Sequence, residues 1–331
     1  MTETFRAMMI DTVDGRAQAA FREISQSDLP DNDVLVEISF STLNYKDGLA
    51  VTGKGRIARR TPMVAGVDLS GTVVSSRSPE WKPGDRVVLN GWGLSETEWG
   101  AFTRFQRVKP EWLIPLPAAF SLQQAMAIGT AGYTAALCVD ALEKWGTMAP
   151  GDGDVLVTGA AGGVGSVAVS LLAARGYRVV ASTGRAETED YLKSLGAREI
   201  IDRKTLADKA GPLQKERWTG GIDSVGATTL ANALAQTVRG GAIAACGLAG
   251  GADLPGTVMP HILRAVTLIG VDSVYATRTQ RLAAWGRLSR DLDPAHLDSM
   301  TTVAPMSDLP ALAEAIVAGR IRGRVVIDVN A

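Results

Sequence analysis

Histidine and cysteine are scarce in this sequence, with two of each in 331 residues. His261, His296, Cys138 and Cys246 stand far from one another along the chain, and a tetrahedral zinc site of Cys and His ligands would have to gather all four. The sequence therefore predicts no metal centre and gives a Ser-His-Asp arrangement little support. The two cysteines lie in separate apolar runs, which argues against a disulfide framework and for buried thiols in a reducing, cytoplasmic compartment. Net charge is nearly absent too, with 34 Lys and Arg against 35 Asp and Glu. Without a surplus of cations there is no global attraction for nucleic acid or an acidic membrane surface, so neither is expected as a partner.

No sustained apolar stretch follows the opening residues MTETFRAMMIDTVDG, so no secretion signal is read and the mature chain is expected to begin near Met1. Val155 to Ala174 runs without a charge for the length of a membrane span. Gly159, Gly162, Gly163 and Gly165 divide it into a short strand, a turn and a helix, and so many glycines would weaken a continuous spanning helix. The run reads as buried core.

What is present is enough apolar residue, 46% of the chain, to build two cores. From Arg6 to Ala119 short β-rich runs (VLVEISF, LSGTVVSS, DRVVL, AFTRFQRV, WLIPL) alternate with Pro, Gly, Asn and Asp clusters, the pattern of a barrel-like β domain. Beyond Ser121 an Ala-rich helical stretch leads into alternating strands and helices, which predict a doubly wound parallel sheet in an α/β domain. Its six strands are placed from Val155, Tyr177, Glu199, Ile222, Gly241 and Val266. Helical runs TQRLAAWGRLSRDL and LPALAEAIVAG follow, and the closing run GRVVIDV is expected to return to the first domain. The domains are read as residues 1–124, 125–300 and 301–331.

The strongest chemical signal is VLVTGAAGGVGSVAVSLL, a strand ending at Gly159, a glycine-rich turn and a helix with an apolar face. Glycines in that context allow a tight turn, close approach of backbone to a pyrophosphate, and close contact of helix with strand, while free N–H groups at the helix start receive the phosphates. Gly162, Gly163, Val164, Gly165 and Ser166 are the candidate residues. An NAD enzyme usually carries an acid at the tip of the second strand; here the tip reads Ser182-Thr183-Gly184-Arg185. A hydroxyl and a guanidinium suit a 2′-phosphate, so NADPH is the expected cofactor, with Arg203 as a second cation.

Two clusters stand out in the first domain. LNYKDGLAVTGKG and VAGVDLSGTV hold Asn44, Tyr45, Lys46, Asp47 and Asp68, polar groups expensive to bury without partners; they read either as a catalytic cleft or as turn caps. Lys54, Arg56, Arg59 and Arg60 form a basic loop, either an ordinary charged surface or a receiver for the phosphates of a coenzyme A ester. LAGGADLPG is a Gly/Pro loop expected to border a ligand. Trp92 and Trp99 read equally as pocket lining or as aromatic core, and His261, beside Pro260, as a surface or capping residue.

Across essentially the whole chain, LNYKDGLAVTGKG, PMVAGVDLSGTV, GWGLSETEWG, IGTAGYTAALCV, VTGAAGGVGS, YLKSLGA, ACGLAGG, LPGTVMPHILR and LIGVDSV resemble the acryloyl-CoA reductase branch of the medium-chain dehydrogenase/reductase superfamily. The resemblance implies a GroES-like β-rich catalytic domain with a Rossmann domain inserted before its last strand, a cytoplasmic homodimer, and NADPH-dependent reduction of acryloyl-CoA to propanoyl-CoA. Zinc-bearing relatives carry Gly-His-Glu where this sequence reads Gly66-Val67-Asp68, which implies the zinc-free side of the superfamily. It further implies cofactor contacts at Tyr45, the 162–166 turn, Ser182, Gly184, Arg185, Arg203, Leu248, Ile262, Ser273 and Arg324. Asn44, Asp47 and Asp68 match the polar residues near the nicotinamide and, with Tyr45, form the candidate catalytic set. Two other functions remain open: NADPH-dependent quinone reduction, and a non-catalytic NADPH-binding role, since fold does not fix function.

Overall fold

The computed structural model describes residues 3–146, 148–209 and 211–331; Met1, read as the start of the mature chain, lies outside them. The chain forms two units. The first takes in Met1–Thr130, Ser273–Leu282 and Met300–Ala331, the second Ala131–Asp272 and Ala283–Ser299.

In the first unit the β-rich runs pair in one seven-stranded sheet, ordered Thr301–Pro305, Arg324–Asp328, Val34–Leu43, Asp68–Ser76, Arg86–Asn90, Ile114–Pro115, with Phe105–Val108 also on Val34–Leu43. A second sheet joins Arg16–Ser25, Thr4–Val13 and Met63–Val64. Val36, Ile38, Leu69, Val87 and Phe102 fill the core beneath them. The closing strand returns here as the sequence indicates: Arg324–Asp328 lies antiparallel to Val34–Leu43, with Val326 opposite Thr42, and parallel to Thr301–Pro305. It is an interior strand whose Val325, Val326 and Ile327 are buried.

Continuity along the sequence places residues 273–282 in the nucleotide domain, but they count with the first unit. The cause is Arg281, a buried guanidinium that donates to the carbonyls of Asn90 (2.6 Å), Ala276 (2.9 Å) and Val274 (2.7 Å). It thereby fastens the segment to the end of the strand Arg86–Asn90.

The second unit holds six parallel strands in the order Glu199–Asp202, Arg178–Thr183, Asp154–Val157, Trp218–Asp223, Thr237–Ala245, Thr267–Gly270. This is the doubly wound order, in which ligands bind at the carboxyl ends of the strands where the order reverses. The fourth strand begins at Trp218 rather than Ile222 because Gly220 and Gly221 are sheet residues: a Cβ at Gly221 would lie 2.9 Å from the Leu156 carbonyl oxygen and 2.9 Å from Ile243 Cδ1. Glycine there permits close strand packing, where turn chemistry would read it as a break.

The uncharged run 155–174 resolves into the strand Asp154–Val157 and the helix Gly163–Ala174, whose Val167 to Leu172 are buried. The one helix long and apolar enough to span a bilayer among the described residues is Leu122–Trp145, mostly buried within the protein. Gly129 interrupts it with non-helical angles (φ 51°, ψ −163°).

Candidate functional site

In the first unit the helix Tyr45–Val51 starts from an extended Asn44, and the Asn44 backbone N–H donates to Asp47 Oδ2 at 2.8 Å. The strand Asp68–Ser76 places Asp68 opposite Asn90 of the strand Arg86–Asn90. Around these residues the structure builds one connected array. Asn44 Nδ2 donates to Asp68 Oδ2 (2.7 Å) and to Asp47 Oδ2 (3.1 Å), while Asn44 Oδ1 accepts from Arg324 Nη1 (3.2 Å). Asp68 also accepts from Asn90 Nδ2 (2.7 Å), Thr130 Oγ1 (2.6 Å) and the Thr130 backbone N–H (3.1 Å). Arg324 also donates to the Ala127 carbonyl (2.8 Å) and Thr42 Oγ1 (2.8 Å).

Asp47 and Asp68 are fully buried and Tyr45 is 36% exposed, so the candidate catalytic set divides. Tyr45 presents its phenol at the surface of this unit, whereas Asp47 and Asp68 face the protein and hold Asn44. Burial first, then the neighbouring Asp68, raises the Asp47 carboxyl to about 7, against hydrogen bonds from Asn44 that pull it down. Arg324, read as a cofactor contact, is 2% exposed and bonded to groups of its own unit, through which it braces Asn44. Thr42, Asn90 and Thr130 were not foreseen. The polar end of DRVVLN, an Asn closing an apolar strand, is the one sequence signal that points to any of them.

The basic loop also differs from a cluster of free cations. Lys54 pairs with Glu314, Arg59 with Glu96 (3.5 Å) and Arg60 with Glu98 (3.4 Å); Lys46 pairs with Glu96 as well. The sequence pattern shows the four cations and hides the acids, which come from distant segments. Arg56, exposed, has no ion pair among the described residues. Trp92 and Trp99 both pack against core clusters, and the Arg281 guanidinium lies 4.5 Å from the Trp92 ring centre.

In the second unit the glycine turn is as the sequence implies. Gly159 has a positive φ of 58°, and a Cβ on Gly165 would lie 2.4 Å from the Gly159 carbonyl oxygen, so helix and strand meet there only through glycine. The first N–H groups of the helix Gly163–Ala174, those of Gly163, Val164 and Gly165, have no carbonyl four residues back within the helix and remain for an anion. Ser166 is different: its N–H bonds to the Gly162 carbonyl and its buried hydroxyl to Tyr191 and Ala160, so it serves the turn itself. Asp223, raised by burial, accepts from Thr158 Oγ1 (2.6 Å) and the Gly226 N–H (2.7 Å) and anchors the residue before Gly159.

At the tip of the strand Arg178–Thr183, Arg185 bonds the Ala161 carbonyl (3.1 Å). Arg203 packs over Gly184, where a Cβ would lie 2.3 Å from Arg203 Nε. The strand tip thus carries two guanidiniums, Arg185 and Arg203, on either side of Gly184, donors suited to a phosphate monoester, with Asp202 at the tip of the neighbouring strand engaged with the Lys204 N–H. Leu248 and Ile262 are exposed on this unit, at 59% and 71%, and Ser273, half-buried, belongs to the first. His261 Nδ1 bonds the Val266 carbonyl (2.7 Å) and His296 the Ser170 hydroxyl (2.9 Å), so both histidines are tied into structure. Cys138 and Cys246, remote in sequence, are neighbouring free thiols; Cys246 and then burial push the Cys138 thiol up.

Residues 30–118 match the alcohol dehydrogenase GroES-like domain and residues 163–287 the zinc-binding dehydrogenase domain, which together mark a medium-chain dehydrogenase/reductase. The acrylyl-CoA reductase AcuI of Ruegeria pomeroyi is 49% identical over 99% of this chain and 100% of its own. The Escherichia coli YhdH structure with bound NADPH is 48% identical and covers 98% of this chain and 100% of that one, with a TM-score of 0.95. The Bacillus subtilis yhfP structure with NAD bound is 42% identical over 99% and 100% of the two chains, with a TM-score of 0.94. The chain belongs to the acrylyl-CoA reductase branch of the medium-chain dehydrogenase/reductase superfamily.

A Cβ at Gly129 would lie 2.5 Å from Arg324 Nη2 and 2.6 Å from Thr42 Cγ2, at a φ that disfavours side chains. Gly129→Ala is therefore expected to displace Arg324 and destabilise the protein by about 1–3 kcal/mol, read as a lower urea midpoint with an unchanged m-value.

Proposed function

We propose that this protein reduces acryloyl-CoA to propanoyl-CoA with NADPH. The observation that carries the reading is the full-length relation to an acrylyl-CoA reductase, and the intact Asn44, Asp47, Asp68, Arg324 array beside Tyr45 supports it. The glycine turn and the Arg185 and Arg203 pair fit NADPH. When bound, that cofactor supplies a hydride for the β-carbon of the enoyl thioester.

The chain's own part is to receive the charge that then gathers on the thioester oxygen. The exposed Tyr45 hydroxyl is the donor this unit offers to that oxygen, and a preorganised donor of this kind contributes roughly 3 kcal/mol. Tyr45, directly or through water, is also the source of the proton for the α-carbon. Asn44 and the carboxyls behind it hold the first turn of the helix Tyr45–Val51 so that the phenol has one position. Arg56 is the loop cation left for a substrate phosphate.

No zinc is needed on this reading. Val67 stands where a ligand histidine would, and every histidine in the chain already has a structural partner. We place the protein in the cytoplasm, where its two thiols stay reduced, acting on a soluble thioester with neither membrane nor nucleic acid as partner. A homodimer fits the second unit: the strand Thr267–Gly270 is a sheet edge, near the exposed Val258 and Leu263, and open edges invite pairing with another chain.

Quinone reduction is the second reading, favoured by a Bacillus subtilis relative, YhfP, that carries a quinone oxidoreductase name and is 43% identical over 99% of each chain. It needs no phosphate anchor. A non-catalytic NADPH-binding role has only the fold behind it and leaves the buried array unexplained.

Steady-state kcat/KM with NADPH decides between the first two: acryloyl-CoA is expected to exceed a simple benzoquinone by orders of magnitude, and the reverse order would overturn the thioester reading. Tyr45→Phe is expected to keep NADPH affinity while turnover drops about 100-fold, the equivalent of roughly 3 kcal/mol of transition-state stabilisation. Arg203→Ala should raise KM for NADPH about tenfold or more, since charge-assisted bonds contribute about 1.5–3 kcal/mol, and leave KM for NADH unchanged. Light scattering of the purified protein should give twice the mass of the chain.

A further inference from the structure

The buried array at the start of the helix Tyr45–Val51 contains one guanidinium, Arg324, and two carboxyls, Asp47 and Asp68, all nearly or fully enclosed. With both carboxyls ionised it would keep an uncompensated negative charge out of water, which is strongly unfavourable. One proton makes it neutral.

The hydrogen bonds say where that proton sits. Asp68 accepts four bonds, from Asn44 Nδ2, Asn90 Nδ2, Thr130 Oγ1 and the Thr130 N–H, so donors already occupy both of its oxygens. Asp47 accepts two, both from Asn44 and both on Oδ2. Its Oδ1 is buried with no hydrogen-bond partner, a poor environment for half of a negative charge and a tolerable one for a neutral hydroxyl. A proton on Oδ2 would collide with the Asn44 donors.

We propose that Asp47 carries a proton on Oδ1 at mildly acidic pH and acts as a positioning residue, its neutral form allowing one Asn44 amide to bridge two carboxyl groups and fix the turn that bears Tyr45. Ionised Asp47 sets a second negative charge against Asp68 across that single amide and loosens the turn. Burial and Asp68 hold the Asp47 carboxyl at about 7, opposed by Asn44 and Lys46. Other charged groups on the packed elements are committed elsewhere: Lys46 to Glu96, Glu314 of the helix Leu309–Val317 to Lys54, and Arg22 of the strand Arg16–Ser25 to Asp11. Arg16 and Glu23 of that strand are exposed.

The folded value lies above the unfolded one, so the native state binds this proton more tightly. The stability it contributes is complete below about pH 4, declines as pH rises towards 7, and is gone above the folded value. This protonation stands apart from the substrate; only its consequence for turnover rests on the reductase reading.

The test is infrared spectroscopy of the holoenzyme and of Asp47→Asn, with unfolding and turnover followed from pH 5 to 9. The wild type is expected to show a protonated carboxyl band at pH 6 that titrates near 7 and is missing from Asp47→Asn. Its urea midpoint should fall more steeply with pH than the variant's, and its kcat should drop on the alkaline side with a midpoint near 7 that the variant flattens. An identical band in both proteins, or equal pH slopes, overturns the assignment. Should Asp47→Asn fail to fold, Asp223→Asn removes the other raised carboxyl: a band persisting there supports the proton on Asp47, and its loss refutes it. Failure to reduce acryloyl-CoA with the band intact would count against the substrate reading alone.

Discussion

The Asn44 side-chain amide has one orientation available to it, and much of the first unit is arranged around that fact. Its oxygen meets Arg324, which can only donate, and its nitrogen meets two carboxyls. Each partner arrives from a different place: Arg324 from the closing strand, Asp68 from a central strand, Asp47 from the first turn of the helix that Asn44 caps. Polar groups this deeply buried are tolerated only when their bonding is nearly complete, so a shift in any one element leaves several donors or acceptors stranded. The kink at Gly129 belongs to the same constraint, because it turns the Thr130 N–H and hydroxyl onto Asp68 and leaves room for the Arg324 guanidinium.

The nucleotide unit is governed by a different rule, close approach of backbone to backbone. Gly165 against Gly159, Gly221 against Leu156 and Gly184 beneath Arg203 each occupy places where a methyl group would collide. The first shapes the turn whose N–H groups point outward, the second lets neighbouring strands nest, and the third lets a cation lie flat over the strand tip. Stability and binding are therefore linked through the same small residue, whereas in the first unit they are linked through hydrogen bonds.

That contrast explains what could be read from the sequence. The first two strands of the second unit's sheet, its glycine turn and the acid-free strand tip are local patterns, written in consecutive residues between about 154 and 185, and they were legible. So was the return of the last strand, from its apolar run GRVVIDV. Asn44, Asp47 and Asp68 could be named as polar groups out of place but not joined, since the bond from Arg324 spans 280 residues and nothing local marks it. The bracing of Asn44 by Arg324 was not foreseen for that reason, nor were the partners of the basic loop, whose acids Glu96, Glu98 and Glu314 come from segments that carry no pattern of their own. Trp218 was missed as a strand start because glycines that serve packing look like glycines that serve turns.

Asp68 also bears on what the array can hold. A carboxyl that binds a metal ion must have lone pairs to give. Here the Asp68 oxygens are taken by Asn44, Asn90 and Thr130, so coordination would require giving up bonds to buried groups. Neutral donors thus occupy the directions a cation would need. A carboxyl so saturated is better suited to holding an amide still than to binding an ion, and what the held amide fixes is the start of the helix that bears Tyr45.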